Sequence, residues 1–413
     1  MSLGVFVYFC IVKKRSQFEF VTLMASLMSI AALALDALLP ALDTIGLAIG
    51  IKDSVDNQLL VVAIFLGLGV GPLFFGPYSD SIGRKPIVYM GFALFIGASF
   101  ICVYAQSLEM MLLGRVLQGI GLAAPRTISI AIIRDMYSGD YMARIMSFIT
   151  VVFILIPVIA PALGKLILIQ FNWQAIFYVQ VLFSIIVSIW FWKRQPETLK
   201  LENKIPFTGV SFIQGFREVL SQKTTMAYTI ISGFIVGTFL VYLSASQQIF
   251  ELQYGLKDQF PYIFATTAFS IGLAIYLNGT LVLRFGMKRL VHTSLFFFLF
   301  TALLYTVLFY SGENPPVWVL IAFFCLQFTS IGFLFGNIRA LAMEPLGHIA
   351  GMAAAITGFI STMMAVPISI YIGSFVKTSA LPIFVGFSIA GVVSIFIITW
   401  LKKVNTLEPS EVS

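Results

Sequence analysis

Apolar runs of roughly twenty residues recur from position 18 to position 401, each ended by a short cluster of charge, glycine or proline. A run of that length suits an α-helix crossing a bilayer, where no water satisfies free backbone groups. The pattern predicts spans over 18–40, 57–79, 86–106, 108–133, 146–170, 172–192, 225–250, 260–283, 289–310, 316–338, 349–376 and 380–401. The pairs 86–106/108–133 and 146–170/172–192 leave almost no loop and are expected as tight helical hairpins. An all-α membrane protein with twelve transmembrane helices follows.

The basic residues alternate between loops. One side holds nineteen: Lys13, Lys14, Arg15, Arg84, Lys85, Arg134, Arg144, Lys193, Arg194, Lys200, Lys204, Arg217, Lys223, Arg284, Lys288, Arg289, Arg339, Lys402 and Lys403. The other side holds Lys52, Lys257 and Lys377, while Arg115, Arg126 and Lys165 fall inside spans. Positive loops stay cytoplasmic, so both termini are expected inside. An odd span count would put alternate loops out of phase.

The longest interior segment, 193–224, follows the sixth span and is rich in charge. It divides the chain into an N-terminal six-helix bundle (1–192), a cytoplasmic linker (193–224) and a C-terminal six-helix bundle (225–413). Within the linker Val210, Ile213, Phe216 and Leu220 recur at helical spacing. Two readings stay open: an amphipathic helix on the inner membrane face, or a solvated linker with incidental periodicity. A faint internal repeat favours two similar halves. Gly76 to Lys85 after the second span matches Asn278 to Arg289 after the eighth in joining a small turn residue to basic charge. Paired six-span halves around a midplane site are a transporter plan.

Composition narrows the classes further. Of 413 residues 59% are hydrophobic and 10% charged, against about 25% charged in soluble domains. The net charge of +7 is spread over inner loops, which argues against a nucleic-acid partner. Cys10, Cys102 and Cys325 are far apart, and His292 and His348 are isolated, so neither a metal nor a redox site is expected. No G-x-x-x-x-G-K-[ST] loop occurs, which removes ATP as a power source, and no cofactor is expected. The opening MSLGVFVYFCIVKKR places its apolar run before its charges, the reverse of a secretory signal, and is expected to be a short cytoplasmic lead.

The stretch Gly76-Pro-Tyr-Ser-Asp80-Ser-Ile-Gly83-Arg84-Lys85-Pro86 interrupts the apolar pattern most sharply. Gly76 and Gly83 permit close helix approach and a tight turn. Arg84 and Lys85 hold the loop inside. Asp80 is expected to pair with them or to face the positive N-terminal end of another helix. The loop is a candidate conformational switch; a plain anchored turn is the competing reading.

Asp36 is the acid placed deepest within a predicted span. A charge there costs about 2.5–3.5 kcal/mol on insertion scales and calls for a partner or a cavity. It is a candidate for proton coupling or for contact with a cationic substrate, the competing reading being a structural ion pair. Arg115 lies at a similar depth in the fourth span and is expected to meet Asp36 across the cavity and to bias its protonation, with Gln118 one turn further in. Arg126, beside Pro125, is a candidate for the inner gate together with Arg134 and Asp135. Pro157 and Pro161 remove backbone donors one turn apart and are expected to bend the fifth span, near the small Gly164. Tyr242, Gln247, Gln327 and Asn337 are polar positions that could line a cavity in the C-terminal half.

Several of these motifs together resemble the major facilitator superfamily. Gly76 to Lys85 is similar to that family's G-x-x-x-D-x-x-G-R-K loop. Asp36-Ala-Leu-Leu-Pro40-Ala-Leu resembles the D-x-Y-L-P-A-L of the bicyclomycin-resistance-like (Bcr/CflA) subgroup, with Leu38 in place of tyrosine. Arg115-Val-Leu-Gln118-Gly119-Ile-Gly121 resembles R-x-x-Q-G-x-G. Pro157-Val-Ile-Ala-Pro161-Ala-Leu-Gly164 resembles the helix-five antiporter motif, with Ala160-Pro161 and Gly164-Lys165 replacing Gly-Pro and Gly-Gly. Met343 to Gly351 is similar to the subgroup's loop between helices ten and eleven. Ile130 stands where an arginine is common, with Arg126 one turn earlier, and Lys165 is expected to snorkel to the outer interface.

The resemblance implies the two-bundle facilitator fold and a monomeric inner-membrane exporter that exchanges small amphipathic drug-like compounds for protons. A proton-coupled importer of a nutrient, or a non-transporting membrane sensor, are the alternatives.

Overall fold

Pro40 fixes where the first helix stops. It has no N–H to offer the Asp36 carbonyl, so the α-helix α1 (Gln17–Asp36) ends there. A 3₁₀ turn at Leu39–Ala41 then leads into α2 (Leu42–Ala48). The first span therefore runs over Gln17–Ala48 with a break just beyond Asp36, further than the apolar pattern predicts. In this computed structural model residues 16–51, 53–137, 145, 149, 156, 159–199, 204 and 209–407 are described.

The helices that follow are α3 (Leu59–Ile82), α4 (Arg84–Val103), α5 (Leu108–Met136), α6 (Ile159–Gln170), α7 (Gln174–Arg194) and α8 (Gly209–Ser221). After them come α9 (Lys223–Gln247), α10 (Phe260–Phe285), α11 (Met287–Leu308), α12 (Val317–Met343), α13 (Ala350–Gly373) and α14 (Leu381–Leu407). The described residues contain no strand. Eleven helical stretches among them are long and apolar enough to cross a membrane. The fifth expected span is represented by α6 alone. Its earlier part, with Pro157, lies outside the described residues.

The α3–α4 reversal and the expected α4–α5 hairpin each have a visible cause. Gly83 ends α3 and starts α4 at φ 122°, a conformation L side chains rarely adopt, so the chain reverses within one residue. Ser107 caps α5 by accepting from the Met110 N–H. Helices α3, α4, α5, α1 and α7 pack mainly on one another, as do α9 to α14, and α3 against α13 is a broad contact between the two sets. At the inner end of α1, Glu19 accepts from Arg194 and Trp190 of α7.

The linker helix α8 forms over the expected region but docks through a different edge. Val219 is fully buried against Leu346, Ala353 and Ile356, with Phe216 beside it. Ile213 and Leu220, expected on the docked stripe, are exposed.

Candidate functional site

The break after Asp36 creates the first feature of the site. Asp36 is 6% exposed, and among the described residues nothing donates to its carboxylate. It sits at the C-terminal end of α1, where the helix carries partial negative charge and so cannot compensate a carboxylate. Helix α6 seals one side. A Cβ on Gly164 would lie 1.9 Å from the Ala37 carbonyl oxygen, so only glycine allows α6 to touch the chain at this break.

Arg115 is fully buried beside the same break, but it does not pair with Asp36. The expected ion pair is replaced by bonds to carbonyls. Both terminal nitrogens donate to Ala34 O at 3.2 Å, and Nε donates to Leu60 O at 2.9 Å. Nη1 also donates to Gln118 Oε1 at 2.9 Å, and Gln118 Nε2 donates to Ser99 Oγ at 2.8 Å. For Ala34 the reason lies in the break: in the last turn of a helix carbonyls lack intrahelical donors and accept side chains instead. One guanidinium thereby ties α1, α3 and α5 together, and Gln118 adds α4.

Beyond the break, on the side remote from the N-terminal end of α1, lies a cavity of about 350 Å³, lined among others by Pro40, Lys165, Trp173, Glu251 and Lys257. Lys165 does not simply snorkel. Its Nζ bonds Asp258 at 2.7 Å and the Lys257 carbonyl at 3.2 Å. That contact holds Asp258 below the usual carboxylate range.

The junction of α3 and α4 gathers a second set. Arg84 is 3% exposed and donates to Asp80 at 2.6 Å, to Ser79 Oγ at 2.7 Å and to Asp135 at 2.9 Å. Asp80 thus pairs as expected, and the acid facing a helix N-terminus is a different one. Glu197, just past α7, accepts the backbone N–H groups of Arg84 and Lys85 at 3.0 Å each, and those of Thr198 and Leu199. Burial opposes the Glu197 charge, yet these four donors outweigh it and hold the carboxyl below its ordinary range. Thr198 donates to Asp135 at 3.1 Å and completes the cluster. Lys85 reaches the Trp192 carbonyl at 3.4 Å. Gly76 has nothing within 4 Å of an added Cβ, so the close approach expected there is absent; its carbonyl accepts from Ser79.

The three residues grouped as an inner gate do not stay together. Asp135 belongs to the Arg84 cluster, Arg134 is exposed, and Arg126 is half-buried on α5, away from that cluster. Pro161 is buried in α6. The polar positions of the later helices are tied to their neighbours: Tyr242 to Thr267, Gln247 to Asp43 and Glu251, Gln327 to Thr301, and Asn337 to Asn278.

Glu197 was missed as a site residue by sequence reasoning. It follows Pro196 in an unremarkable charged stretch, and only its arrival at another helix start, more than a hundred positions away, gives it meaning.

Comparison with known proteins agrees with this architecture. A family profile described as Major Facilitator Superfamily matches residues 24–370. The chain is 28% identical over 409 residues to a bicyclomycin resistance protein homolog of Haemophilus influenzae, covering 95% of this chain and 98% of the relative. It is 29% identical to the multidrug resistance protein MdtL of Shewanella oneidensis, covering 84% of this chain and 86% of the relative. Among solved structures, a D-xylose-proton symporter superposes with TM-score 0.72 at 14% identity, covering 92% of this chain and 97% of that one.

Proposed function

The chain belongs to the Major Facilitator Superfamily, and from that premise we propose that it exports small amphipathic drug-like molecules in exchange for protons. The N-terminal bundle 1–192 and the C-terminal bundle 225–413 rock about a central site, with 193–224 as the cytoplasmic linker. The protein is a monomer of the inner membrane with both termini in the cytoplasm, a placement supported by the distribution of its basic loops. Relatives named for bicyclomycin and multidrug resistance support the substrate class.

The observation that carries the proton is the buried Asp36 carboxyl, which has no hydrogen-bond donor among the described residues. A carboxylate without a fixed partner is free to exchange its proton when the cavity around it changes access, whereas a paired one is not. Arg115 serves as a positioning residue, holding the Ala34 carbonyl and so the break on which Asp36 sits. Gly164 lets the antiporter helix lie on that break. The Arg84 cluster holds the inner ends of α3, α4, α5 and the Glu197 strap in one arrangement.

The energetics are sufficient. One proton charge crossing 100 mV yields about 2.3 kcal/mol, enough for a roughly fortyfold gradient of a neutral solute. Asp36→Asn should reduce proton-driven efflux of a drug panel at least about tenfold while membrane abundance stays at the wild-type level. Full efflux by that variant in everted vesicles with an imposed pH gradient would end the assignment.

A further inference from the structure

Two acids, one from each helix set, meet at a single amide. Asp43 stands on α2, just past the break that follows Asp36, and Glu251 on the π-helical turn Gln248–Gln253 that ends α9. The Gln247 Nε2 group donates to Glu251 Oε2 at 3.1 Å and to Asp43 Oδ2 at 3.4 Å. The two carboxylate oxygens therefore lie no further apart than those two bonds laid end to end. Asn57 Nδ2 donates to the other Asp43 oxygen at 2.8 Å. Gly46 permits that reach, because a Cβ there would sit 2.1 Å from the Asn57 amide oxygen.

Both acids are half-buried, while Gln247 and Asn57 are buried. Glu251 also lines the cavity of about 350 Å³, which gives solvent a route to its carboxyl. The charged groups on the surrounding elements are paired elsewhere or exposed. Lys165 bonds Asp258 at 2.7 Å, Lys377 bonds Asp53 at 3.4 Å, and Lys257 and Asp56 are exposed. The bridge between the acids is thus a neutral amide. Its two N–H groups can hold two carboxylates, but it carries no charge to offset their repulsion. One proton added to the pair removes that repulsion, and the new O–H finds a carboxylate oxygen to accept it. The arrangement that brings the acids together therefore binds more protons than one that separates them. Acid favours it, and its share falls as pH rises.

We propose that Asp43 and Glu251 form a proton-held latch between the two helix sets. With one shared proton the end remote from the α3–α4 loop is shut; with both acids ionised it parts. On the proposed topology that end faces outside, so protons enter through the cavity and close the molecule behind the departing solute. Proton-driven export needs that order of events. The latch rests on the export reading for this direction alone.

Distances across that end, measured at equilibrium with no gradient, test the latch separately from the Asp36 efflux experiment. Spin labels at Leu47→Cys and Tyr262→Cys, exposed positions of the two helix sets, are carried by the full chain in nanodiscs with Cys10, Cys102 and Cys325 changed to alanine. The long-distance population is expected to rise at least about threefold between pH 5 and pH 8. Asp43→Asn combined with Glu251→Gln keeps both side-chain shapes but cannot ionise, and should stay short at both pH values. Asp36→Asn should keep the wild-type response. Amide exchange over residues 39–51, corrected for its intrinsic pH dependence, gives the same comparison in the chain with its native cysteines. A wild-type distance independent of pH, a full response in the doubly neutral variant, or a response lost in Asp36→Asn would overturn the latch.

Discussion

Arg115 illustrates how a buried cation is held without an acid. Its Nε and terminal nitrogens reach carbonyls on two helices and an amide on its own, a spread that suits a planar fork and not a single ammonium. Arg115→Lys keeps the charge yet strands at least one of the Ala34 and Leu60 carbonyls. An unmet buried polar group costs about 1–3 kcal/mol. The variant should melt measurably lower in detergent, with transport reduced as the α1 break loosens. A wild-type melting curve would show that the carbonyl bonds do not anchor the bundle. The same geometry explains why Asp36 remains without a donor although a guanidinium binds the carbonyl two residues before it.

Helix ends, more than helix middles, carry the chemistry of this chain. The Asp36 break is set by Pro40, the α3–α4 reversal by Gly83, and the start of α4 is capped by Glu197 from a segment beyond α7. Because backbone donors hold the Glu197 carboxyl below its ordinary value of 4.5, its contribution is present in full above that value and is lost only as pH falls further, through the lowered folded value. Amide exchange at Arg84 and Lys85 should therefore be protected equally from neutral pH down to about 4.5 and lose protection in stronger acid. Glu197→Gln should lose most of it throughout. Protection that stays constant into strong acid would show that the Glu197 charge is not what holds the strap. Much of this level was legible in the sequence. Glycine acts through local backbone chemistry, so the tight turn at Gly83 was readable, whereas the apolar pattern ran the first span on to position 40 and missed the break that Pro40 sets after Asp36. Burial along each helix follows the apolar runs, so the spans were readable too. The Glu197 cap was not, because it depends on which side chain arrives from a segment distant in sequence. Asp36 was legible as a buried acid, but its lack of a partner was not; depth along two helices cannot say that Arg115 turns to the carbonyls.

At the scale of the whole molecule the bonds between the two helix sets are unevenly placed. Among the described residues, every hydrogen bond joining a residue before 200 to one after 222 lies at the end remote from the α3–α4 loop. They are Gln58 to Gln248 at 2.7 Å, Gln247 to Asp43 at 3.4 Å, Lys165 to Asp258 and the Lys257 carbonyl, and Lys377 to Asp53 at 3.4 Å. The opposite side offers apolar contact of Leu73 with the α8–α13 cluster instead. On the proposed topology, with both termini in the cytoplasm, the hydrogen-bonded end faces outward and the molecule is arranged to receive solute from the cytoplasm. Export then requires the outer set to part. Gln58 and Gln248, both buried, form the most enclosed of these links, so joining them covalently should hold the outer side shut. A variant carrying Gln58→Cys and Gln248→Cys, bridged by a bis-methanethiosulfonate reagent of matching span, is expected to lose efflux about tenfold or more and to regain it on reduction. Each single-cysteine variant treated alike should be unaffected. Bridged protein that exports at the unbridged rate would mean that these outer contacts do not open during transport, and the rocking of the two helix sets would have to be abandoned with them.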